Sequence, residues 1–178
     1  YDRKDLEYSY WGYYRLSTPI GTLSDFTSCP NLKRLTLFEM GISDLAPLAD
    51  LTQLTHLSLY NNQISDVTPL SGLTQLTELN LGKNQISDLT PLAGLTQLTD
   101  LDLGDNQISD VTPLAGLTQL GDLHLGYNQI SDLTPLADLT HLVYLRLWYN
   151  KISDTSPLWN LAQTGCNIRL DGNPTVTV

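Results

Sequence analysis

Residues Leu98–Gln119 read LTDLDLGDNQISDVTPLAGLTQ, and almost the same letters return when the chain is shifted by 22 residues in either direction, from Leu32 to Gln163. A unit of that length is too short to bury a core of its own. It has to be one rung of a stacked array whose neighbours share a continuous apolar interior.

Each rung opens LxxLxL, as at Leu98, Leu101 and Leu103, and the rungs begin at Leu32, Leu54, Leu76, Leu98, Leu120 and Leu142. The alternation of the last two leucines is the period-2 signature of a short strand with one face buried. An asparagine follows at Asn62, Asn84, Asn106, Asn128, Asn150 and, after a one-residue slip, Asn173. An amide at the bend where a strand ends can satisfy backbone groups of its own and neighbouring rungs. A buried asparagine ladder is therefore expected, starting at Asn62 because the first rung has Met40 in that place. Ile-Ser-Asp then turns the chain, and Thr-Pro-Leu follows in most rungs. A hydroxyl before proline is a helix-start signal, and the Thr or Ser side chain is expected to cap. The few residues left before the next strand allow a single 3₁₀ turn and exclude a long outer helix.

Three segments are expected: an aromatic cap with a degenerate first rung over 1–31, six 22-residue repeats over 32–163, and a partial C-terminal repeat over 164–178. The opening segment holds Tyr1, Tyr8, Tyr10, Trp11, Tyr13 and Tyr14. Covering an exposed solenoid end accounts for them better than a binding patch does. Ile20, Leu23, Phe26, Cys29 and Leu32 repeat the spacing of Ile42, Leu45, Leu48, Leu51 and Leu54, which puts Cys29 in a core leucine slot. Cys29 and Cys166 stand about six rungs apart, close to 30 Å at roughly 4.8 Å per strand. That is well beyond the roughly 7 Å a disulfide allows.

The formal net charge is −10, from 19 acidic against 9 Lys and Arg residues. That balance argues against nucleic-acid binding, which needs a basic stripe. No apolar run reaches the roughly 18–20 residues that span a bilayer, and Tyr1-Asp2-Arg3-Lys4 lacks the apolar stretch of a signal peptide.

LxxLxLxxNxI, in a 22-residue form carrying NQISDLTPLAGLTQL, resembles the leucine-rich repeat of the bacterial internalin-type subfamily over about residues 20–174. The resemblance implies an α/β solenoid, right-handed, with a parallel β-sheet on the concave face and short 3₁₀ turns on the convex side. It also implies a secreted or surface-attached bacterial protein that binds other proteins through the concave face.

Function has to be sought where the rungs differ, on strand positions that point away from the core. The middle rungs place Glu78, Asp100, Asp102, Asp105 and Asp122 beside Gly82, Gly104 and Gly126. This reads as a negative patch next to a shallow trough. It is either a solvated face or a surface that steers a basic partner. A metal site from Asp100, Asp102, Asp122 and His124 is the weaker reading, because carboxylates on a flat sheet rarely enclose a cation. The C-terminal rungs carry Tyr127, Tyr144, Arg146, Trp148 and Tyr149, residue types enriched at binding hot spots. Phe38 and Tyr60 form a smaller aromatic pair at the other end.

An enzyme is not expected. His56 and His124 lie about three rungs apart, roughly 14 Å by strand spacing, and no phosphate-cradling or zinc-spacing motif occurs. The expectation is a monomeric, cofactor-free protein-binding module without membrane insertion. A glycan binder and an accessory or spacer domain of a larger protein are the alternatives.

Overall fold

The structure is a computed structural model that describes residues 6–8, 14–16, 23 and 29–174. A hairpin comes first: β1 (Leu6–Tyr8) pairs antiparallel with β2 (Tyr14–Leu16), and β2 lies against the start of the array. Most of the aromatic preamble falls outside the described residues.

Seven parallel strands follow in chain order. They are β3 (Arg34–Thr36), β4 (His56–Ser58), β5 (Glu78–Asn80), β6 (Asp100–Asp102), β7 (Asp122–His124), β8 (Tyr144–Arg146) and β9 (Asn167–Arg169). Each is three residues long, and from β3 to β8 every residue pairs with its counterpart 22 positions on, as in Leu79 with Leu101. The central leucine of these strands is buried and its two neighbours face outward. The solenoid reading is correct, and its core is a stack of leucine layers such as Leu98, Leu101, Leu103, Leu114 and Leu117, each at 2% exposure or less.

The asparagine ladder is present. Asn106 Oδ1 accepts from the backbone N–H of Ile86 at 2.9 Å, while its Nδ2 donates to the carbonyls of Leu81 and Leu103, both at 3.1 Å. Asn62 opens the ladder by accepting from Met40 and Ile42. Asn173 closes it on Ile152, Leu147 and Leu170. These amides satisfy groups that a tight bend would otherwise bury without partners.

The 3₁₀ turns fall where expected, for example Thr90–Leu92 and Thr112–Leu114. Their cap differs from the expected one. The N-cap residues are Leu89 and Val111, which make no side-chain cap bond; Asp88 Oδ1 accepts from the Thr90 N–H and Asp110 Oδ1 from the Thr112 N–H, each at 2.8 Å. Thr is already the first residue of the turn, so its own N–H is the orphan donor, and the carboxylate two residues back can reach it. Hydrogen bonding to the Thr side chain, and then to its backbone, holds the Asp66, Asp88, Asp110 and Asp132 carboxyls below their ordinary range. At Asp154 the Ser156 backbone has the larger effect.

The last full rung departs from the pattern. Its 3₁₀ turn (Ser156–Leu158) runs into a short helix, α1 (Trp159–Gln163), and Gly165 at φ +87° follows. This added winding takes up the extra residue, so Tyr144 pairs with Asn167. Cys29 departs from the core slot assigned to it. The Leu32 N–H bonds the Cys29 carbonyl at 3.0 Å, as Leu54 bonds Leu51, yet the Cys29 residue is exposed. Backbone register does not oblige an end-rung side chain to turn inward when fewer neighbours wait there. Cys29 and Cys166 are both free thiols, and burial raises the pKa of Cys166.

Candidate functional site

The outward-facing residues of the strands line a shallow groove of about 530 Å³ on the concave sheet. It brings together the predicted Phe38, Glu78, Asp100, Asp102, Asp122, His124 and Arg146 and adds His56, Ser58 and Asn80. Tyr60, Asp105, Tyr127, Tyr144, Trp148 and Tyr149 lie outside its lining, so the acidic and aromatic zones are neighbouring surfaces and not one pocket.

Parallel pairing sets Glu78, Asp100 and Asp122 in one row across β5, β6 and β7. Like charges in register repel, and the structure places a cationic or ionisable group at each end of the row. His56 Nε2 lies 2.9 Å from Glu78 Oε1, and the Arg146 guanidinium pairs with Asp122. Asp100, in the centre, is exposed, and its Oδ2 accepts from the Thr99 hydroxyl at 2.7 Å. Asp102, one column over, accepts from His124 Nδ1 at 3.0 Å and from the Gly104 N–H at 2.9 Å. The patch is therefore less naked than its letters suggest. Of the three residues that sequence reasoning left out of the site, His56 carries an ionisable group, and its register beside Glu78 was the signal that could have found it. Among the described residues, no three His, Cys, Asp or Glu side chains are grouped so as to hold a metal ion.

The expected glycine trough is filled, which is a correction. A Cβ on Gly104 would meet the His124 ring at 2.6 Å, one on Gly82 would press on Tyr60 at 3.2 Å, and one on Gly126 would collide with the Trp148 indole. These glycines are seats for side chains from adjacent rungs. His124 and Trp148 then meet each other, with ring centres 5.0 Å apart. The His124 Nε2 is buried and has no hydrogen-bond partner among the described residues. Trp148 was expected to stand exposed and is instead half-buried, because the missing side chain at Gly126 lets its ring pack against that position.

The exposed aromatic surface belongs to the tyrosines. Tyr127, Tyr144 and Tyr149 are each about half exposed. Tyr127 and Tyr149 stack with centres 4.6 Å apart and planes 10° from parallel, while the Arg146 guanidinium sits 5.5 Å over the Tyr144 ring. The residue just before each ladder position is left-handed: Glu39, which precedes Met40, and Asn61, Lys83, Asp105, Tyr127 and Tyr149 have φ between 52° and 59°, and Gly172 before Asn173 has φ +76°. That conformation costs a residue other than glycine about 1–2 kcal/mol. The conformation recurs on every rung whatever the residue, so it belongs to the bend of the scaffold and sets the direction in which Tyr127 and Tyr149 leave the backbone.

No helix among the described residues is long and apolar enough to cross a membrane. The family described as "Leucine Rich repeats (2 copies)" matches residues 30–72, 52–94, 74–116, 96–138 and 118–160. No curated protein matches the chain. Among solved structures, internalin C2 from Listeria monocytogenes is 40% identical with a TM-score of 0.79, over 86% of this chain and 66% of that one. The internalin InlF from the same organism is 36% identical with a TM-score of 0.71, over 90% of this chain and 54% of that one. A leucine-rich-repeat protein from Leptospira interrogans is 27% identical with a TM-score of 0.69, over 84% of this chain and 40% of that one. The chain thus spans less than two thirds of the length of these relatives. With its 22-residue rungs, asparagine ladder and seven-stranded parallel sheet, the chain belongs to the leucine-rich-repeat family and is of the internalin type.

Proposed function

We propose that the chain is a non-enzymatic, monomeric recognition module of a secreted or surface-attached bacterial protein. Its concave face binds another protein. The observation that carries this reading is the tyrosine surface: Tyr127, Tyr144 and Tyr149 stay half exposed beside a groove of charged and polar side chains. Tyrosine supplies large contact area at little conformational-entropy cost, and Tyr and Arg dominate binding hot spots. Trp148, packed on Gly126 and His124, adjoins this surface, and Phe38 and Tyr60 mark the far end of the face. The exposed Asp100 and Asp105 favour a partner with a basic patch.

Leucine-rich-repeat arrays of the internalin type are typically binding scaffolds. The test is affinity capture of a partner, identification of that partner, and calorimetry with the purified pair. Tyr144→Ala with Tyr149→Ala should weaken binding by at least about tenfold, the scale of a hot spot, while Trp159→Ala on α1 should leave it unchanged. An unaltered affinity in the tyrosine variant overturns the reading. A stacked pair with one open ring face also suits a sugar, so a glycan array in which only the wild-type tyrosines give hits would replace the protein partner with a glycan.

A further inference from the structure

We propose that Asp105 and Tyr127 form a seat for an arginine side chain presented by the bound partner. The inference rests on the protein-binding reading above and names the chemistry of one contact within it. The molecule contains its own precedent. Asp122 on β7 and Tyr144 on β8 are in-register neighbours, an Asp on one rung and a Tyr at the same position on the next. The Arg146 guanidinium occupies that pair, lying 5.5 Å over the Tyr144 ring while it bonds the Asp122 carboxylate.

The same succession recurs once more on this face, at Asp105 and Tyr127. Their rungs are locked together by hydrogen bonds from the Asp105 N–H to the Gly126 carbonyl (2.8 Å) and from the Asn106 N–H to the Tyr127 carbonyl (3.2 Å). Both residues are left-handed, at φ 56° and 57°, so their side chains leave the backbone in the same direction. Tyr149, one rung further on, stacks on Tyr127 at 4.6 Å. The remaining face of the Tyr127 ring is the one toward the rung of Asp105. Both residues are exposed.

Among the described residues, no Lys, Arg or His lies within ion-pair distance of the Asp105 carboxylate. Arg146 and Arg169 are engaged elsewhere, with Asp122 and with Asp171. Lys83, the neighbour of Asp105 on the other side, makes no ion pair within 4.0 Å. A guanidinium fits better than an ammonium, because its plane can stack on a ring while its edge hydrogen-bonds a carboxylate.

The test is an NMR titration of the intact chain with N-acetyl-arginine methylamide, set against the matching lysine and citrulline derivatives. The Tyr127 ring and Asp105 amide signals should shift saturably with the arginine derivative, less with lysine, and not with citrulline. Asp105→Asn and Tyr127→Leu should each weaken the interaction by about threefold or more, the combined scale of an exposed ion pair and a cation–π contact. Equal shifts from citrulline, silence at Tyr127, or an unchanged affinity in Asp105→Asn would overturn the proposal. The probe needs no partner protein, so a failed seat and a failed concave-face reading give different results. The seat fails in this titration, and the wider reading fails in the calorimetry of the tyrosine variants.

Discussion

Replacing Asn106 with alanine removes four hydrogen bonds at once, but their losses are unequal. The carbonyl of Leu81 still accepts from Asn84, that of Leu103 from Asn128, and that of Gly104 from the Lys83 N–H. The Ile86 N–H has no other acceptor, and Ile86 is fully buried. An orphaned buried donor costs about 1–3 kcal/mol, and the weakened carbonyls add a smaller amount. The expected total is about 2–3 kcal/mol. At about 2–4 °C per kcal/mol for a chain of this size, the melting temperature should fall by about 4–12 °C. Because stacked rungs communicate only with neighbours, the damage should be local. Native-state hydrogen exchange should speed most at the Ile86 amide and less at Ile64 or Ile130. A melting temperature within about 1 °C of wild type, with Ile86 protection intact, would refute the ladder as a source of stability.

Two further outcomes are expected. The cap carboxylates of Asp66, Asp88, Asp110, Asp132 and Asp154 have folded pKa values below their unfolded ones. Their contribution is therefore fully present above the unfolded value of about 3.9 and is lost as the pH falls through the folded values. Melting temperature should be level from neutral pH down to about 5 and fall below about 4. Changing these five to Asn should flatten that acid limb, and an unchanged limb would assign it to other groups. Gly126→Ala should displace Trp148 from its seat, costing about 1–3 kcal/mol as an overpacking change. In a background lacking Trp11 and Trp159, the fluorescence of Trp148 should shift to the red, and an unchanged spectrum would contradict the filled trough.

The fold was legible because it is written in repetition. The leucine spacing placed every strand of the array, and Met40 in the asparagine column correctly located the start of the ladder at Asn62. The site was legible only as columns. Which side chain lies over which glycine depends on rotamers chosen across rungs, and periodicity does not encode them. Gly104 and Gly126 thus read as open space while His124 and Trp148 occupy it. The left-handed column was hidden for a related reason: only its last member, Gly172, is a glycine, and Asn61 and Asp105 are the other hints. The aspartate cap was masked by a hydroxyl that stood in the expected place. Cys29 shows the limit at an array end, where spacing holds but burial does not.

The central claim is that the concave tyrosine surface, and not the convex side, meets the partner. Hydroxyl-radical footprinting of the complex tests it most directly, because Trp159, 70% exposed on α1, is a built-in control. Oxidation at Tyr127, Tyr144 and Tyr149 should fall several-fold on binding while Trp159 reacts as in the free chain. Protection of Trp159 with the three tyrosines unchanged would contradict the account.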